Sequence, residues 1–158
     1  MADIVNDGNV RVTWLASLAS TTTPSAAALT AGTAIESFIT PDGLAIEIGD
    51  DEVDVSALNS TFTAKAAGRG TVSVEITFKD QGKANPPWTT FNTRPTGYVI
   101  VRRNLPVGTA YGSGQFVEVY TVQAGDPKIM APAANEVAKF SIQFFSSTDP
   151  VLHAVCAA

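Results

Sequence analysis

The stretch TVSVEITFKD, residues 71–80, decides the fold. Val72, Val74, Ile76 and Phe78 alternate with Thr71, Ser73, Glu75 and Thr77, the period of two by which a strand turns one face to a core and the other to water. The same texture recurs on both sides of it, in VRVTWL (10–15), AIEIGDDEVDVSA (45–57), YVIVRR (98–103), QFVEVYTVQ (115–123), EVAKFSIQFFS (136–146) and VLHAVCA (151–157). With Gly and Pro punctuating the gaps, these seven segments predict a mainly β chain, built as a two-sheet β-sandwich or barrel. Only PPWTTF (86–91) reads as helix: proline suits the first turn, and Trp88 and Phe91 share a face, so this short flanking helix is expected to plug one end of the sandwich. Two connections are long: 16–43, rich in Ala, Ser and Thr, and NSTFTAKAAGRG (59–70). Loops of that length in a compact domain usually have a task.

Composition sets bounds on partners. The 158 residues and 16.5 kDa suit a single domain spanning 1–158. Hydrophobic residues make up 45% and charged residues 16%, which excludes disorder through excess charge. A net charge of −5 argues against a clamp that grips nucleic acid by its phosphates. No apolar run approaches the ~18 residues of a transmembrane helix. The amino terminus, MADIVNDGNVRVTWLASLAS, places acids ahead of its short apolar run and reads as mature protein rather than a secretory signal.

Catalytic and metal constellations fail in turn. The single histidine, His153, lies in the apolar run VLHAVCAA and reads as a strand histidine at an edge; Cys156, three residues on, points to the opposite face of the same strand and reads as a small buried hydrophobe. DDEVDVSALNST lacks both the sixth-position Gly and the twelfth-position Glu of a calcium loop. PVGTAYGSGQF (106–116) has no Lys after its glycines and opens a strand, so it reads as a turn rather than a phosphate cradle. No catalytic residue, metal site or cofactor is expected. That leaves Glu47, Asp50, Asp51, Glu52 and Asp54 crowded into AIEIGDDEVDVSAL (45–58) with no cation among them.

The order of these segments carries a resemblance. An early strand, an acidic strand, a Gly/Ala/Lys/Arg loop and TVSVEITFKD are followed by PPWTTFNTRPTGYVIVRR, then VYTVQAGDPKIMAPAANE and FSIQFF. Over 44–157 this arrangement resembles the major tail proteins, or tail tube proteins, of long-tailed bacteriophages of the siphophage type. The resemblance implies a structural virion protein that assembles in the host cytoplasm into stacked hexameric rings. Four strands of each subunit line a shared inner β-barrel, the conduit for DNA ejection. Its implied partners are copies of itself, a tape-measure protein, and tail terminator and tail-tip proteins; DNA passes without specific binding, and no membrane is involved. The inner tube of a contractile tail or tailocin shares the implied fold. An immunoglobulin-like adhesion or decoration module, with one exposed binding loop, is the alternative from a different class.

Within the implied tube, Phe62, Lys65 and Arg69 on the loop 59–70 are expected to reach the adjoining ring. The strands at 45–57 and 71–79 are expected to line the channel, with Val53, Val55, Val72, Val74 and Ile76 turned into the sandwich and Glu52, Asp54, Ser73 and Glu75 turned to the bore. Gly49 suggests a bulge, which leaves Glu47 unassigned.

Overall fold

The computed structural model describes residues 3, 5–82 and 84–158. The amino-terminal expectation rests in part on Met1, Ala2 and Ile4, which lie outside the described residues. The elements in chain order are β1 (Arg11–Leu15), α1 (Ala26–Ala31), β2 (Thr33–Ala34), a 3-10 turn (Glu36–Phe38), β3 (Ile39–Asp54), β4 (Lys65–Lys79), α2 (Pro86–Phe91), β5 (Thr96–Arg102), β6 (Phe116–Ala124), β7 (Lys128–Ile129), β8 (Lys139–Ser146) and β9 (Val151–Val155).

The chain is mainly β, as the alternation predicts. Its two layers are two halves of one antiparallel sheet of nine strands, in the order β2-β1-β5-β6-β8-β4-β3, with β7 on β8 and β9 on β6. The strand β6 is where the sheet divides: Val122–Ala124 pair with β8, whereas Phe116, Val117 and Val119 pair with β9. The sheet curls so far that Trp14 on β1 reaches Phe144 on β8, their ring centroids 6.1 Å apart, although β5 and β6 lie between them in hydrogen-bond order. It does not close, and its path ends at β2 and β3.

Curling encloses the main core. Val74, Ile76 and Phe78 of β4 are fully buried against Phe140, Ile142 and Phe144 of β8, with Val12, Trp14, Val99, Val101, Tyr120 and Val122 from the other half. Alternation along β5 and β6 sends Ile100, Val117 and Val119 to a second cluster on the opposite face, covered by Leu29 of α1, Tyr111 and Cys156. The expected burial of Cys156 is therefore met, and burial raises its thiol pKa. His153 is exposed and sits edge-on to Phe116, 6.1 Å between centroids.

Helix α2 plugs the main core as expected. Phe91 is fully buried, edge-on to Trp14 at 5.0 Å and to Phe144 at 5.2 Å and stacked on Phe78 at 5.7 Å, while half-buried Trp88 meets Phe140 at 5.2 Å. Such aromatic pairs contribute ~0.5–1.5 kcal/mol each beyond the area they bury. The second residue of β5 is Gly97 because a Cβ there would collide with the Leu15 carbonyl oxygen and the Trp14 ring.

Three expectations need correction. The 16–43 segment is not one loop: Ser25 caps α1 by accepting from the Ala28 N–H at 3.2 Å, and β2, the 3-10 turn and the start of β3 follow. Short Ala-rich helices leave no apolar period to read. The loop expected at 59–70 is shorter, because β4 already begins at Lys65 and the connection spans 55–64. The two-residue strands β2 and β7 escaped notice because two residues carry no alternation.

Candidate assembly surface: an arm and the polar face behind it

Strand pairing divides β4 in two. From Ser73 to Lys79 it is held between β3 and β8; from Lys65 to Thr71 it pairs with β3 alone. Residues 47–54 of β3 and 65–71 of β4 are all exposed, so these lengths form a two-stranded arm beyond the sandwich. Its tip is tied down locally. The Val55 N–H donates to the Ala64 carbonyl at 3.0 Å, the Ala64 N–H donates to Ser56 Oγ at 2.8 Å, and Ser60 Oγ donates to the Phe62 carbonyl at 2.8 Å. The Ser56 hydroxyl and, to a lesser degree, its N–H hold the Asp54 carboxyl below its ordinary pKa. Leu58 and Phe62 at the tip are 106% and 75% exposed, which places two large apolar side chains in water on an ordered loop.

The loop residues expected to act together are separated. Phe62 is on the connection, but Lys65 and Arg69 are strand residues. Lys65 is paired with Glu52 of its own chain, and Arg69 lies at a bulge where the register passes from Asp50 opposite Gly70 to Glu52 opposite Ala67.

The expected bore-facing set is also split. Val74 and Ile76 are buried as foreseen and Val72 is half-buried, but Val53 and Val55 are 46% and 57% exposed and do not enter the sandwich. The inward-facing pattern ends near Ile46 because no second layer covers the arm. Directly opposed residues of an antiparallel pair share a face. The register Ala45–Glu75–Gln143, Glu47–Ser73–Phe145 and Thr77–Ser141–Lys128 therefore collects one face of β3, β4, β8 and β7, the face turned away from Val74, Ile76, Phe140 and Ile142. Ser73 and Glu75 belong to it, joined by Glu47 and Gln143. Glu52 and Asp54 alternate with these residues and so lie on the other side of β3, with Lys65.

Apart from Phe145, which is exposed beside Ser73, this face is polar, and it is graded in charge. Glu47 and Glu75 stand toward the arm; Lys79 and Lys139 are directly paired at the far end, and Lys128 adjoins them on β7. Lys139 bonds Glu136 at 2.7 Å, which raises its pKa. The lysines of GDPKIM and EVAKF carried no sequence signal, because only the register brings them onto the face of TVSVEITFKD. Among the described residues no group of His, Cys, Asp and Glu is arranged to hold a metal ion.

Residues 1–158 match the family model described as phage tail tube protein. The chain belongs to the phage tail tube protein family. A chain in the cryo-EM structure of the anti-feeding prophage baseplate, 6-fold symmetrised, has a similar fold: TM-score 0.59, 12% identity, with 96% of each chain covered. No curated protein matches the chain. As a tail tube protein the chain is a structural component of the virion tail. A partly exposed cleft of about 360 Å³ beside Glu36, Thr40 and Arg103 belongs to the opposite end of β3 and brings no set of groups like that of the polar face together.

Proposed function

We propose that this tail tube protein polymerises as stacked hexameric rings around a tape-measure protein, and that the resulting tube conducts DNA at ejection. The observation that carries this is an open sheet with unpaired ends and a polar face: edges of this kind invite pairing with another copy, and pairing around a ring removes them. The 6-fold symmetrised baseplate that holds a chain of similar fold supports a hexamer. Head-to-tail stacking of rings does not close, which yields a filament; terminator and tip proteins then cap its ends.

In that tube the face bearing Glu47, Ser73, Glu75 and Gln143 lines the bore. Its carboxylates repel the phosphates of passing DNA, while the lysine end is farther along the same wall. Glu52 and Asp54, on the other side of the arm, meet neighbouring subunits instead. The arm's tip, with Leu58 and Phe62, docks on the adjoining ring. Electron microscopy of the purified protein tests the proposal: rings or tubes with six-fold symmetry are expected, and a strictly monomeric species at high concentration overturns it. Replacing 56–63 by a tight Gly turn should leave the subunit folded and abolish stacking; full-length tubes from that variant would remove the arm's role.

A further inference from the structure

The layer β3-β4-β8-β7 ends in two open edges of matching chemistry. One is the outer edge of β3, a 16-residue strand that ends the sheet path and carries Pro41, a residue an edge strand accommodates and a central one does not. The other is β7, which pairs with β8 alone. On β3, Glu47 and Asp51 lie on the polar face, and Ile46 and Ile48 alternate with them; Ile48 is 52% exposed. On β7, Lys128 lies on that same polar face opposite Ser141, and Ile129, opposite core residue Phe140, lies on the other, 73% exposed. Lys128 has no ion-pair partner among the described residues; nearby Asp126 faces Arg94 at 3.7 Å and Glu136 holds Lys139. Each edge thus offers a charge on one face and an uncovered isoleucine on the other, with opposite signs of charge.

Strand direction agrees. The pairs β3–β4, β4–β8 and β8–β7 are all antiparallel, so the layer runs up, down, up, down. Rotation about a ring axis preserves direction along that axis, so β3 of the next copy runs opposite to β7. If β8 were the terminal strand, the junction would be parallel and the free β7 backbone would stay unpaired.

We infer that the outer edge of β3 pairs antiparallel with β7 of the adjacent copy, the strands being tilted to the ring axis so that the lysine end of one layer meets the acidic stretch of the next, which sets Lys128 beside Glu47 or Asp51 on the bore face and Ile129 against Ile48 on the other. This rests on the tube reading above and names the edges that close the ring. The test uses tubes assembled from equal parts of unlabelled and 15N-labelled full-length protein, checked by microscopy, treated with a carbodiimide and digested for mass spectrometry. Mixed-label peptides joining Lys128 to Glu47 or Asp51 are expected, with Lys65–Glu52 as a link within one chain. Tubes that show the Lys65–Glu52 link but join Lys128 to other acids, or to none, overturn the pairing and leave the tube reading standing. Absence of tubes overturns both. In addition, Lys128→Glu should slow assembly several-fold and Asp51→Lys should restore it in the double variant; tubes forming at the unaltered rate in Lys128→Glu also overturn the pairing.

Discussion

The two halves of β4 share a strand and differ in everything that holds them. Ser73–Lys79 alternates perfectly, sends Val74, Ile76 and Phe78 into a closed core, and is flanked on both sides. Lys65–Thr71 reads KAAGRGT, has no apolar face, pairs on one side only and is exposed throughout. Stability of the subunit therefore resides in the first half, and the second is free to serve contacts outside it. Burial pays for folding in one half; the other buries nothing and adds nothing to the core.

Substitutions that strike each half unequally test this contrast. The largest effect is expected from Phe78→Ala, which leaves a cavity among Phe91, Phe140 and their neighbours and should cost about 3–5 kcal/mol in urea unfolding. A change below about 1 kcal/mol would show that the body is not the stable half.

Next is Arg102→Met. This arginine is fully buried at the end of β5, donates to the carbonyls of Pro106, Thr109 and Ala110 and to Gln115 Oε1 at 2.8–3.3 Å, and lies with Arg11 over the Tyr111 ring. Burial lowers its pKa from the ordinary guanidinium value. Losing these bonds should cost about 3 kcal/mol and loosen residues 103–115 in hydrogen exchange before β4 opens.

Base provides a third probe of the body alone. Burial raises the pKa values of Tyr120, Tyr111 and Cys156; for Tyr120 the neighbouring Glu118 charge adds to it. Because the folded values lie above the unfolded ones, stability is fully present below the unfolded tyrosine pKa of about 10 and is lost as pH rises through the folded values. The Tm should hold to about pH 9 and then fall, with the tyrosinate absorbance of Tyr111 and Tyr120 appearing together with unfolding. Titration of all tyrosines in folded protein near pH 10 would contradict it.

The smallest effects belong to the arm. Lys65→Ala breaks an ion pair whose side chains are 53% and 67% exposed, and Val53→Ala trims a side chain already in water, so each should change subunit stability by less than about 0.5 kcal/mol. The same two variants are to be compared in tube assembly, where any sizeable defect assigns the arm to contacts between copies.

Legibility in the sequence follows the same division. Where an apolar period met a second layer, as in TVSVEITFKD and FSIQFF, alternation located strand, face and core residue together. In the acidic stretch IEIGDDEVDV the apolar positions change parity between Ile48 and Val53, so Val53 and Val55 do not share the face of Ile46, and no second layer covers them on either face. The bulge at Asp50–Glu52 and the span of β4 are properties of a pairing, and KAAGRG has no apolar pattern to announce it. Lys128 and Lys139 were invisible as parts of the polar face, being 49 or more residues from Lys79 or Glu75 and joined to them only through the register with β8.

By itself the sequence determined the mainly β character, the core strands, the plugging helix and the tail tube resemblance, since each depends on local period or on the order of segments. Tertiary structure alone decided that one sheet curls into two layers, that β3 and β4 outrun the sandwich as an arm, and which charged residues share a face. These depend on which strand lies beside which, and hydrogen bonds between residues far apart in the chain fix neighbours that no local pattern encodes.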